Sequence, residues 1–269
     1  FILTAFSCLL TLAIATPAAA ADSLKGSNVS LQNELRHPTS KGAGWLVKNQ
    51  AAEGYWSTSE QPAVTGLALL ALQSQELNEA EQRALEKGYE FILGCVKPDG
   101  SIHNGEGLVN YNTSICLLAL TAAGSDEYRS QILKAREFLI GTQIDLGEKG
   151  ELDSPFDGGI GYGSKGKHSD MGNTLQALEA LYYSKPLVRD AGEDTPELNW
   201  EAAIHFLENC QNLPAYNEQD WASADPANKG GFVYHPEESK AGEVKLPDGH
   251  VALRSYGSIS YAGLLMVAI

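Results

Sequence analysis

His168 and Asp170 stand two residues apart in a stretch rich in Gly, Ser and Lys. An imidazole and a carboxylate this close can move a proton as a general acid–base pair. A carboxylate just ahead of a helix can equally cap free N–H groups and interact with the helix dipole. Tyr111, Tyr162, Tyr256 and Tyr261 have flat apolar rings with polar tips, which suit the wall of a ligand pocket. The plainer reading of each is a half-buried packing residue with its hydroxyl in water. Metal chemistry has less support. The six histidines (37, 103, 168, 205, 235 and 250) show no ligand spacing, and Cys95, Cys116 and Cys210 form no Cys-x-x-Cys knuckle. Those cysteines read as small buried hydrophobes. Asp220, Asp225, Asn228 and Glu237 offer oxygens to calcium but obey no loop rule. No metal and no cofactor are expected.

The chain has 269 residues, 43% of them hydrophobic and 20% charged, enough apolar material for one sizeable core. Its 19 Lys and Arg against 34 Asp and Glu give a net charge of −15. Such a surface repels phosphate backbones and anionic headgroups, so no nucleic-acid partner is expected. Ile2 to Ile14 is mostly apolar, and Thr16-Pro17 and Ala18 to Ala21 follow it. This pattern reads as a signal peptide over 1–21, directing export to the periplasm or the medium. The apolar run is shorter than the roughly 20 residues of a spanning helix, so no integral membrane span is expected after cleavage. The start at Phe1, without a basic n-region, is read as a missing true start. Residues 22–41 lack a sustained apolar period and read as a flexible leader.

From about Gly42 the chain repeats itself. Each unit has a helix ending in an aromatic-Leu or similar pair, a Gly-rich loop, and a helix rich in Ala and Leu. The aromatic anchors are Trp45, Phe91, Phe138 and Phe206; the loops include Gly54-Tyr55-Trp56, Asp99-Gly100-Ser101, Gly158-Gly159-Ile160 and Gly230-Gly231-Phe232. The second helices open at Val64-Thr65, Asn112-Thr113, Asn173-Thr174 and Ile259-Ser260. The longer third and fourth loops put the insertions on one face, where repeat folds commonly bind. Asn78-x-x-Glu81 predicts a capping box, and Thr195-Pro196-Glu197 predicts another helix start. Alternation of amphipathic with wholly apolar helices predicts an all-α fold, an α/α toroid: a double ring of helical hairpins over 42–269. About four hairpins are counted, and the apolar run ending at Ile269 is read as a ring incomplete at its C-terminus.

These residues resemble the terpenoid cyclase and protein prenyltransferase superfamily, most of all its squalene-cyclase-type repeats. The resemblance rests on Trp45 to Gln50, Phe138 to Gln143 and Phe206 to Gln211, on the Gly-Gly-aromatic loops, and on the Thr- or Ser-initiated apolar helices. It implies a central cavity for an apolar, isoprenoid-like molecule. Class II cyclases of this kind protonate an alkene with an Asp-x-Asp-Asp-Thr motif. The nearest match is Asp170-Met171-Gly172-Asn173-Thr174, where Gly172 occupies the proton-donating position and only Asp170 and Thr174 agree. Asp170, with His168, is then the candidate catalytic acid, and Asn173 and Thr174 join the tyrosines as candidate ligand contacts. The prenyltransferase branch implies zinc held by Asp, Cys and His, and this sequence has no Asp-x-Cys followed by a suitable His. Complement-type thioester domains share the toroid but need Cys-Gly-Glu-Gln, which does not occur.

Two expectations follow. One is an exported cyclase-like protein that binds an apolar ligand and, if active, isomerises or cyclises it. The other is a noncatalytic toroid that binds a protein or glycan at the cell envelope.

Overall fold

Two kinds of helix alternate along the chain. The structure, a computed structural model, describes residues 29–105, 107–163, 168–189 and 195–269. The signal-peptide reading, residues 22–28, and Lys165 and Lys167 fall outside them. The more polar helices are α1 (Val29–Asn49), α3 (Glu79–Gly94), α5 (Arg129–Ile140) and α7 (Trp200–Asn209). The Ala- and Leu-rich helices are α2 (Pro62–Gln73), α4 (Val109–Ala122), α6 (Met171–Arg189) and α8 (Gly257–Ala268). The second set packs in a row, α2 on α4, α4 on α6 and α6 on α8. Outer helices lie against that row: α1 and α3 on α2, and α5 on α4 and α6. The only strands among the described residues, Glu243–Lys245 and Val251–Leu253, form an antiparallel pair in the loop after α7. The all-α expectation therefore holds at the level of a mostly helical chain.

Position in the row explains burial. On α4, Ile115, Cys116, Leu117, Ala119 and Leu120 are buried, because helices flank it on both sides. At the two ends of the row Leu67 on α2 and Tyr261, Leu264 and Val267 on α8 are exposed. Cys95, Cys116 and Cys210 are free and buried.

One hydroxyl ties each loop to its inner helix. Thr65 Oγ1 accepts the Trp56 N–H at 3.2 Å, Thr113 that of Ile102 at 2.9 Å, and Thr174 that of Ile160 at 2.9 Å. Ser260 Oγ accepts the Phe232 N–H at 3.0 Å. Trp56, Ile102, Ile160 and Phe232 are all buried, so each N–H would otherwise be stranded away from water. The Gln at the end of an outer helix closes the other side of the loop. Gln50 Nε2 donates to the Gly54 and Ala84 carbonyls at 2.9 and 2.8 Å. Gln143 Nε2 donates to those of Gly158 and Asn199 at 2.8 and 2.9 Å. Gly158, at φ +87°, presses so closely on Ala202 that a Cβ there would overlap its carbonyl.

Two boundaries differ from expectation. Residues 29–41, read as leader, are the start of α1, where the good helix formers Glu34, Leu35 and Arg36 lie exposed. Residues 34–42 are exposed and Ala43 is the first buried residue, so an apolar period could not reveal this turn of helix. The capping box of Asn78 and Glu81 is present. The start expected at Thr195-Pro196 is not used; Asn199 caps α7 by accepting the Ala202 N–H at 3.1 Å. Glu197 is instead drawn to Arg136, 3.7 Å away, and to Lys185 at 3.8 Å.

Arg136 is only 1% exposed. From α5 its guanidinium donates to the Leu181 carbonyl and to Ser184 Oγ, which fixes α5 against α6. Burial lowers its proton affinity, and Glu197 opposes that effect. Replacing Arg136 by Ala removes the donor to both buried acceptors, and is expected to cost about 2–3 kcal/mol in urea unfolding. Lys185→Ala removes a half-exposed partner of the same Glu197 and should cost less than about 1 kcal/mol.

Candidate functional site

Both enlarged loops meet over the first turn of α6. The Asp170 N–H donates to the Ile160 carbonyl at 3.3 Å, and the Met171 N–H to that of Tyr234 at 3.0 Å. Ser169 Oγ donates to the Phe156 carbonyl at 2.6 Å. The hydroxyl bonds at Thr174 and Ser260 set the register of these loops. Tyr162 and Tyr234 each stand two residues beyond the buried residue so held, Ile160 and Phe232. Equivalent positions of successive units thus come together, and their hydroxyls are 3.0 Å apart.

Asp170 is 1% exposed and fully engaged. Its Oδ1 accepts the Asn173 N–H at 3.0 Å and its Oδ2 accepts Asn173 Nδ2 at 2.7 Å, an N-terminal cap on α6. The Tyr234 hydroxyl is hydrogen-bonded to that of Tyr162 and lies near the same carboxylate. Burial, the Tyr162 hydrogen bond and the nearby Asp170 all push Tyr234 well above the usual phenol range, so it stays neutral. Asn173 Oδ1 is buried without a partner. Thr174 accepts from the Ile160 N–H and donates to the Ile160 carbonyl, so its hydroxyl serves the fold.

A second chain of contacts borders the first. Lys240 Nζ lies 4.4 Å above the Tyr234 ring and 2.7 Å from Glu238 Oε1. Glu238 Oε2 is 3.3 Å from His235 Nε2, and the His235 and His168 rings are 5.0 Å apart. Phe156 packs on both imidazoles at 5.7 Å. Lys240 first, by its hydrogen bond, holds the Glu238 carboxyl below the usual range. Tyr256, half-buried at the start of α8, is pushed up to about 12 by burial and by the charges of Glu238 and Asp170.

The structure therefore gathers Asp170, Asn173, Tyr162, Tyr256 and His168 around one helix start. No ion pair joins His168 to Asp170 among the described residues; His168 is exposed and stacks on His235 instead. Tyr111 is half-buried on the first turn of α4, and Tyr261 is 76% exposed on the flank of α8. Neither makes a hydrogen bond or ring contact with the cluster among the described residues. Asp225 Oδ1 accepts the Ala227 N–H and Asn228 Oδ1 the Ser255 N–H, which locks turns of the fourth loop. Among the described residues no group of three His, Cys, Asp or Glu is placed to hold a metal ion. Sequence reading missed Tyr234, His235 and Glu238. Tyr234 was discoverable from its offset, which matches that of Tyr162 within the repeat.

An apolar groove of about 540 Å³ lies elsewhere, towards the C-terminal ends of α6 and α8, lined in part by Leu178, Leu207 and Met266. No family model matches the sequence, and no curated protein matches it.

His235 gives the site a pH signature. Burial first, then His168, lower its proton affinity below the ordinary 6.5, against the opposing pull of Glu238 and Glu237. Protons then bind the unfolded chain more readily than the folded one. The stability present above 6.5 is lost as pH falls through the depressed folded value. Glu238 adds a loss of the same sign only below its ordinary 4.5. His235→Gln should flatten the stability profile between those two values in urea titrations, leaving the limb below 4.5.

Proposed function

We propose that this protein is a noncatalytic scaffold of helical repeats, exported to the cell envelope, whose long loops present an aromatic face to a neutral glycan. The observation that carries this is the pair of Tyr162 and Tyr234 hydroxyls, 3.0 Å apart over a carboxylate already committed to capping. Sugars offer C–H faces to aromatic rings and hydroxyls to polar edges. Tyr162 is 40% exposed and so open to such a ligand, with the exposed His168 imidazole in the same cluster. The net charge of −15 disfavours anionic ligands and leaves uncharged ones.

The scaffold itself we infer to be an arc of an α/α toroid, kin to squalene-cyclase-type repeats. The sequential inner row with outer helices against it supports that reading. Acid chemistry is what this arc has given up. Gly172 carries no proton, and Asp170 accepts two hydrogen bonds from Asn173. Titration calorimetry with cello-, malto-, xylo- and chito-oligosaccharides tests the proposal. Binding of at least one series is expected, with Tyr162→Ala weakening it by about tenfold. Conversion of squalene or a prenyl alcohol to cyclised products, abolished by Asp170→Asn, would overturn the noncatalytic reading.

A further inference from the structure

Over the start of α6 the third and fourth loops hold to each other through backbone, hydroxyls and rings. The Tyr234 carbonyl accepts the Met171 N–H at 3.0 Å, and the Tyr162 and Tyr234 hydroxyls lie 3.0 Å apart. The His168 and His235 rings face each other across the joint at 5.0 Å, and Phe156 of the third loop packs 5.7 Å from each. Of these side chains, the two histidines are of the type that changes charge near neutral pH.

The turn from His235 to Glu238 fixes the tautomer of His235. Its Nδ1 accepts the Glu237 N–H at 3.2 Å, so the proton of the neutral ring is on Nε2, 3.3 Å from Glu238 Oε2. A second proton must go on Nδ1, where it takes the acceptor away from the Glu237 N–H. It also puts positive charge on a side chain only 7% exposed and next to the His168 ring. Lys240 repels that charge, while Glu238 and Glu237 attract it. Glu238 is half-exposed and shares its carboxylate with Lys240 Nζ at 2.7 Å, so its pull is weakened by sharing and by solvent. Tyr234 and Tyr256 are neutral, and Asp170 is turned to Asn173. The balance, burial first and His168 next, disfavours the proton on His235. Closing the joint therefore expels a proton, and by linkage a proton opens it.

We propose that this joint is a proton-operated latch: as pH falls below neutrality, His235 and His168 take up charge, the fourth loop separates from the third, and the Tyr162–Tyr234 face comes apart. The latch stands on the geometry of the joint; that its opening releases a bound glycan rests on the function proposed above.

Hydrogen exchange of the whole chain without ligand tests the latch, because the Met171 N–H bridges the two loops. Two like charges about 5 Å apart near a surface are worth about tenfold in an equilibrium. Met171 protection, corrected for the intrinsic exchange rate, is expected to fall by that factor between the ordinary histidine and glutamate values of 6.5 and 4.5. The Asp170 and Ile102 amides, bonded to Ile160 and to Thr113, should keep theirs. His235→Gln should abolish the fall. His168→Gln, at an exposed position, should shrink it, and serves alone if the first variant does not fold. Met171 protection that is indifferent to pH, that is lost only together with that of Ile102, or that falls to the wild-type extent in whichever variant folds overturns the latch. Calorimetry with the oligosaccharides above and within the same pH window tests the release, and affinity is expected to fall in step with Met171 protection. Protection lost at unchanged affinity overturns the release and leaves the latch standing. Absence of binding at every pH overturns the glycan reading, while exchange still decides the latch.

Discussion

A loop N–H buried beside a large apolar side chain must find an acceptor or cost about 1–3 kcal/mol. Here the acceptor is always a hydroxyl on the first turns of the following inner helix: Thr65, Thr113, Thr174 or Ser260. That one bond fixes where the inner helix begins and how deep the loop is seated. It also frees the rest of the loop to vary, because register is pinned at a single point. The fourth loop accommodates a strand pair between Gln211 and Phe232 at one side and Ser260 at the other without moving either. The site is a by-product of the same register, since Tyr162 and Tyr234 meet only because Ile160 and Phe232 are held alike.

The alternation of two kinds of helix was legible because its signals are local. Aromatic anchors, glycines at positive φ and a Thr or Ser ahead of an apolar run are each dictated by a neighbour within a few residues or by the adjoining unit. The capping box at Asn78 and Glu81 is legible for the same reason. Longer-range needs were not. Arg136 looks like an ordinary polar residue of an amphipathic helix, and only the Leu181 carbonyl and Ser184 on a helix 45 or more residues on explain its burial. Glu197 resembles the acid of a helix start until Arg136 claims it, and the start moves to Asn199. Residues 34–42 of α1 are exposed, so hydropathy had no pattern to report there.

At the site, residue types were legible and their partnerships were not. His168 and Asp170 are near in sequence, but the chain turns between them so that the imidazole meets His235 and Phe156 while the carboxylate enters the helix end. His235, Glu238 and Lys240 come from a loop more than 60 residues away and supply most of the charge around the tyrosines. A sequence offers no signal for such a meeting except the shared offset within the repeat, which locates Tyr234 and not its neighbours.

The role of Asp170 supports the proposed noncatalytic reading on chemical grounds. A carboxyl group that protonates an alkene must carry the proton and face the substrate. Both Asp170 oxygens face hydrogen-bond donors, the Asn173 N–H and the Asn173 amide. Those two bonds form a helix cap worth about 1 kcal/mol. Tyr234, kept neutral by burial and its hydrogen bond with Tyr162, is too weak an acid to take over the task. The cluster thus holds a shape, two phenols and two imidazoles packed beside a buried carboxylate, and such a fixed aromatic shape is what the proposed recognition of a glycan requires.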